Sequence, residues 1–340
     1  MDADAHQPGD RVANESGPGT AGLDPAAPDP RVLVLPAREV PLGGLRAMNV
    51  QRALPQRGLP TVGAWCFLDR FGPQRATMRV DPHPHMGLQT VTWPLTGEVR
   101  HRDALGNDVV LRAGALNLMT SGGGISHSEY SLGEAPVDLD ALQLWVALPD
   151  STRDGARGFE SHESLPSLSL PASIGADARA VVVMGVLAGV TSPATTHTPL
   201  VGAEIRIPAG SRISVPLEPG WEHAVVALEG ELAVHASAAS DGEPTRPSHN
   251  DLVYLGTGRG HIELASSTGA VLFLLGGEPF EDELVMWWNF VGRSHEEIVE
   301  ARDEWEAGTD RFGSVEGHGD MRVPAPPMPR VRLTQRRRHL

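Results

Sequence analysis

The chain has 340 residues, 40% of them hydrophobic, which suits two domains of ordinary size, each with a buried core. Its formal charge of −15 disfavours direct nucleic-acid binding, which needs a basic surface against the phosphates. One cysteine, Cys66, excludes an intramolecular disulfide. The start, Met1-Asp-Ala-Asp-Ala, is no secretory signal, and no apolar run approaches the ~20 residues that span a bilayer, so a cytoplasmic protein without a membrane partner is expected.

Residues 1–30, acidic and rich in Ala, Pro and Gly, lack periodicity and are expected to be disordered. A first β domain is expected over 31–150. Strand-like text begins at Arg31-Val-Leu-Val-Leu35, and residues 62–69 form a buried apolar run. Leu88 to Leu95 alternates apolar and polar, Thr96-Gly97 turns, and Glu98 to Asp103 returns. Ala115 to Met119 and Leu142 to Leu148 supply further strands around the glycine run 122–124.

A second β domain is expected over 151–280, with strands at 180–184, 203–207, 212–215, 223–230 and 251–256. Leu228-Glu-Gly-Glu231 echoes Leu95-Thr-Gly-Glu98, which points to internal duplication. Short strands at this turn spacing predict an all-β fold of two jelly-roll barrels. Residues 281–308 should include a short helix that packs back on the first barrel, with Ser294 and Glu297 as a capping box. Residues 309–340, rich in Pro and Arg, are expected to be a disordered tail.

Four side chains carry the chemistry. His83 and His85 lie in Asp81-Pro-His-Pro-His85, and His127 and Glu129 in Gly124-Ile-Ser-His-Ser-Glu129. An i, i+2 spacing on a strand puts both members of a pair on one face. Two such strands facing each other offer three imidazoles and a carboxylate to one point, a ligand set for a divalent transition metal, iron above all, with other first-row ions allowed. A lone buried histidine is more often satisfied by its core than bound to metal, but two spaced pairs are hard to reach by chance. His101 reads as a barrel-wall residue. His162, His197, His235, His249, His295, His318 and His339 read as surface or loop residues. In the second barrel His223, His261 and Glu263 sketch a similar set without a His-x-His pair, and a decayed copy without metal is the favoured reading. Cys66 reads as a buried structural thiol, and Trp287, Trp288 and Phe290 as a docking patch between domains.

His83-Pro-His85-Met-Gly-Leu-Gln-Thr90, Gly97 to Asp103, and Met119 to Glu129 together resemble the pirin family of the cupin superfamily. Arg38 to Gly44, Gly63 to Asp69 and Trp288 to Glu297 are similar to it as well, so the resemblance spans roughly residues 31–306. It implies a bicupin whose first barrel binds one metal ion, usually iron, through His83, His85, His127 and Glu129, while the second generally lacks metal. It also implies one of two roles. The first is quercetin 2,3-dioxygenase-type activity on a flavonol, with Glu129 as the base. The second is a non-enzymatic, iron-dependent redox sensor that binds a regulatory protein partner, a transcription factor or metabolic enzyme. The chain departs from the family at Met86, where an arginine is usual, and at Gln89, which stands where cupins generally carry a glutamate.

Overall fold

The computed structural model describes residues 32–42, 48–235 and 243–338. The expectation for residues 1–30 lies outside them. Strands dominate, and one helix, His295–Ala307, closes the chain's regular structure. No helix among the described residues is long and apolar enough to cross a membrane.

Each barrel pairs one large sheet with one four-stranded sheet. In the first barrel the large sheet runs Gly158–His162, Leu116–Thr120, Leu88–Thr96, Val137–Ala147, Trp65–Ala76, Met48–Leu54, Arg38–Leu42. In the second it runs Leu33–Leu35, Leu252–Gly256, Glu222–Gly230, Ala270–Gly277, Leu200–Ile207, Ala178–Leu187, Ser167–Leu170. Position for position the two orders correspond, which gives the duplication read from the sequence a topological basis. The edge strands break the pattern. Leu33–Leu35, the first strand of the chain, pairs with Leu252–Gly256 in the second barrel, so the chain enters one barrel before building the other.

The largest apolar cluster lies between the barrels rather than inside either. Trp65, Trp93, Leu118 and Leu144 of the first large sheet meet Val226, Tyr254 and Phe273 of the second. The two tryptophans keep their N–H groups satisfied across the seam: Trp65 Nε1 donates to the Val201 carbonyl at 3.0 Å, and Trp93 Nε1 to Glu204 at 2.8 Å. Arg70, fully buried, forms a two-pronged pair with Asp140 and reaches the Leu228 carbonyl of the second barrel at 2.6 Å.

The helix behaves as its sequence suggests. Ser294 Oγ accepts from the Glu297 N–H, while the Glu297 carboxylate takes the N–H of Arg293 rather than that of the cap itself. Ile298, Ala301 and Trp305 are its buried residues, and they pack with Met86 of the first barrel and with Phe290 and Phe312. Phe290 is thus central to helix docking on the first barrel, not to contact between the barrels.

The expected disordered tail is corrected over its described part, residues 309–338. Phe312 is buried, and its carbonyl takes the Ser126 N–H at 2.9 Å; the Val323 N–H bonds the Pro82 carbonyl at 2.8 Å. Val315, Ala325 and the ring of His318 are also buried. Pro and Arg content hid these anchors. Proline has no N–H to satisfy, so an irregular path over a barrel wall leaves few polar groups stranded.

Candidate metal centre

Three neighbouring strands of the smaller sheet of the first barrel build the site: Arg79–His85, Ile125–Ser131 in the middle, and Glu98–Asp103. The paired strands lie side by side, not face to face as the spacing suggested. In register, His127 sits opposite His83 on one side and Asp103 on the other, and Glu129 opposite His101. The ladder shifts between His127 and Glu129 against the His83 strand, as at a β-bulge. Such a shift re-aims a side chain.

The ligand atoms of His83, His85 and His127 lie within 4.8 Å of one another, and all three residues are buried. Glu129 falls in a second set within the same limit, with His101 and His127. His127 is common to both. The structure thus brings three of the four expected ligands together, and groups Glu129 with His101 and His127 rather than with His83 and His85.

Hydrogen bonds assign which nitrogens are free. The Asp81 carbonyl, 2.9 Å from His83 Nδ1, can only accept, so Nδ1 carries the proton and Nε2 keeps its lone pair. The Asp103 carboxylate lies 3.2 Å from His101 Nε2, which therefore donates. That leaves His101 Nδ1 to accept from His127 Nδ1 at 3.3 Å, and His127 Nε2 is left with a lone pair. This Nε2 is buried without a hydrogen-bond partner, as is His85 Nδ1. Buried polar atoms are seldom left so. A backbone carbonyl or carboxylate behind the ring is the usual support for a metal-binding histidine.

Electrostatics agree. Burial pushes His83 down to about 4 and holds His85 and His127 well below the usual imidazole range, so all three are neutral at pH 7. Burial raises the Glu129 carboxyl, opposed by His101 and by Thr92, whose hydroxyl donates at 3.2 Å. Asp103 is held below the carboxylate range in spite of burial, by bonds from His101 and Asn107. Aromatic rings wall the pocket: Phe159 stacks on His101 and Trp145 meets His85 edge-on.

Sequence reasoning passed over His101. The alternation in Glu98–Asp103 was the available signal, since Val99, His101 and Asp103 all turn inward. His318, expected at the surface, is buried with Nε2 3.0 Å from Ser128 Oγ, behind the strand that carries His127. Gln89 has a job that a glutamate could not do: its amide donates to Thr120 Oγ1 at 3.0 Å and to the Thr195 carbonyl at 3.2 Å.

Among its described residues the second barrel shows no such site. His223 is buried, but Ile262 and Leu264 take the inward positions of their strand. His261 is exposed as a result, and Glu263 pairs with Arg212. Among the described residues no three-ligand group forms there.

Comparison with known proteins matches the same two barrels. The Pirin family model covers residues 47–146, and the Pirin C-terminal cupin domain model covers 202–313. A Pseudomonas aeruginosa protein named as a putative quercetin 2,3-dioxygenase is 41% identical over 86% of this chain and 89% of its own length. A Caulobacter vibrioides pirin-like protein is 31% identical over 86% of this chain and 99% of its own. The crystal structure of an Acinetobacter baumannii quercetin 2,3-dioxygenase superposes with a TM-score of 0.79 at 36% identity, over 89% of this chain and 97% of that one.

Proposed function

Because the chain belongs to the pirin family, we propose that its first barrel is a mononuclear metal centre held by His83, His85, His127 and Glu129, with Fe(II) as the ion, and that it opens a flavonol ring with O2 as a quercetin 2,3-dioxygenase does. The observation that carries this reading is the orphaned His127 Nε2, set among buried imidazoles that cannot ionise at neutral pH. A buried lone pair with nothing to accept from calls for a Lewis acid.

Bound iron would supply a site where a chelating enolate and O2 can exchange electrons. The chain's own residues prepare the substrate. Glu129, with its carboxyl raised by burial, is suited to take the proton of an acidic substrate hydroxyl. Thr92 donates to the Glu129 carboxylate before that proton is taken. The Asp103–His101 pair fixes the tautomer of His127, and the Asp81 carbonyl fixes that of His83. Phe159, stacked on His101, and Trp145, stacked on Phe67 and edge-on to His85, hold the imidazoles in place with apolar surface.

O2 uptake by iron-loaded protein over a flavonol panel, quercetin included, tests the proposal, with His127→Ala as control. We expect turnover that depends on both iron and His127. Stoichiometric iron with no uptake above the control would refute the dioxygenase assignment and favour a redox-sensing, partner-binding role.

A further inference from the structure

Outside the metal centre, one cavity of the first barrel collects charge of a single sign. It has a volume of about 310 Å³ and is lined by the guanidinium-bearing residues Arg38, Arg57, Arg336 and Arg337, with the turn from Pro55 to Pro60 as its wall. Among the described residues no carboxylate lines it. None of the four arginines makes an ion pair among the described residues, and only Arg38 spends a side-chain bond, on the Pro55 carbonyl. The chain holds 43 acidic residues against 28 basic ones. With acid in such excess, four unpaired arginines around one hollow are an exception that composition does not supply.

The arrangement is built rather than casual. Gln56 and Leu59 exchange both backbone bonds, at 3.0 and 3.1 Å, which fixes Arg57 at the tip of a tight turn. Gln56 Nε2 ties the turn to the carbonyls of Pro36 and Ala53. The C-terminal segment is pinned on both sides of the cavity residues it contributes. The Arg336 N–H donates to the Leu284 carbonyl at 3.1 Å. Arg338 pairs with Glu222 and donates to Tyr254 Oη at 2.9 Å and the Thr61 carbonyl at 3.0 Å. Glu222, almost fully buried, also accepts from Tyr254 and from the Gly63 N–H. Crowding has a visible cost: partial desolvation, with the Arg38 and Arg52 cations close by, holds the Arg336 guanidinium below the usual arginine range.

We infer that this cavity is a binding site for a small multivalent oxyanion, a phosphorylated or polycarboxylate metabolite. Guanidinium presents a planar fork of N–H donors that matches phosphate and carboxylate oxygens two at a time. A cavity near 300 Å³ is at the small end of ligand sites and admits a compact anion rather than a polymer. An anion there would relieve the mutual repulsion of the four cations, so occupancy should also stiffen the C-terminal segment.

Calorimetric titration of the full chain with inorganic pyrophosphate, and separately with citrate, tests the site and tells phosphate from carboxylate. We expect saturable one-site binding of at least one of them, weakened tenfold or more by Arg57→Ala and by Arg336→Ala. Among the described residues neither side chain makes a hydrogen bond, so both variants should keep their melting midpoints. Arg179→Ala, at an exposed arginine away from the cavity, removes the same charge and should leave affinity within twofold. No saturable binding of either anion, or equal weakening by Arg179→Ala, would overturn the assignment.

Discussion

The depressed imidazoles make a sharp statement about acid. A metal and a proton compete for the same lone pair, so the pH at which a histidine site releases its ion follows the pKa of the imidazoles in the metal-free fold. With an ordinary value near 6.5, each imidazole would cost roughly 30-fold in metal affinity on going to pH 5, and three would cost about four orders of magnitude together. Here burial takes His83 to about 4. At pH 5 its proton then takes up only about a tenth of the site, and a shift of that size corresponds to about 3 kcal/mol against the charged form. His85 and His127 move in the same direction. Glu129, shifted upward, is the one member whose proton competes early. Log affinity for Fe(II), measured anaerobically by competition with a chromophoric chelator, should therefore fall with a slope no steeper than one per pH unit between pH 7 and 5. A mean slope of about two or more over that range would show that the imidazoles titrate normally and that the buried-site reasoning is wrong.

Four further outcomes are expected. His101→Phe keeps the ring stacked on Phe159 but strands the His127 Nδ1–H, so metal affinity should drop 10–100-fold, as for lost support behind a ligand, and stability should fall by about 1–3 kcal/mol for the unsatisfied donor. His223, pushed by burial to about 4, binds a proton far more readily when unfolded, so stability is complete above pH 6.5 and declines as pH falls towards 4; urea denaturation should show about 2 kcal/mol less of this loss at pH 5 in His223→Gln. Asp140→Ala leaves Arg70 as an unpaired buried cation, and urea denaturation should register a loss of about 3–5 kcal/mol, part of it regained when Arg70 is also replaced by Met. Gln89→Glu restores the residue usual in cupins yet turns a carboxylate towards the Thr195 carbonyl, and should lower stability by about 1–3 kcal/mol in the same assay.

The sequence made the barrels and the two histidine pairs legible because both rest on a period of two. Leu88–Thr96 and Glu98–Asp103 alternate as strands do, and His83/His85 and His127/Glu129 share faces for the same reason. Neighbour relations were harder. That Glu129 stands opposite His101, in a set apart from His83 and His85, depends on strand order and on a register shift at His127 that no local pattern announces. The tail misled because composition speaks to propensity and not to partners: Phe312 and His318 are two anchors in a stretch otherwise read as solvated. Gln89 looked like a loss at the metal site, whereas its amide serves the joint with the segment around Thr195.

The placement of Leu33–Leu35 bears on how such a molecule can be made. Its partner strand, Leu252–Gly256, leaves the ribosome more than two hundred residues later, after every strand of the first barrel. Until then the second barrel has an open edge, and the early segment has nowhere to dock. The halves are therefore sewn together rather than strung in tandem. A gene fragment that stops between them would lose Gly158–His162 from the edge of Leu116–Thr120, while one that starts there would lose Leu33–Leu35. Swapping one half for that of a relative would have to carry the stitching strands along, which makes the pair, rather than the single barrel, the unit that evolution can exchange.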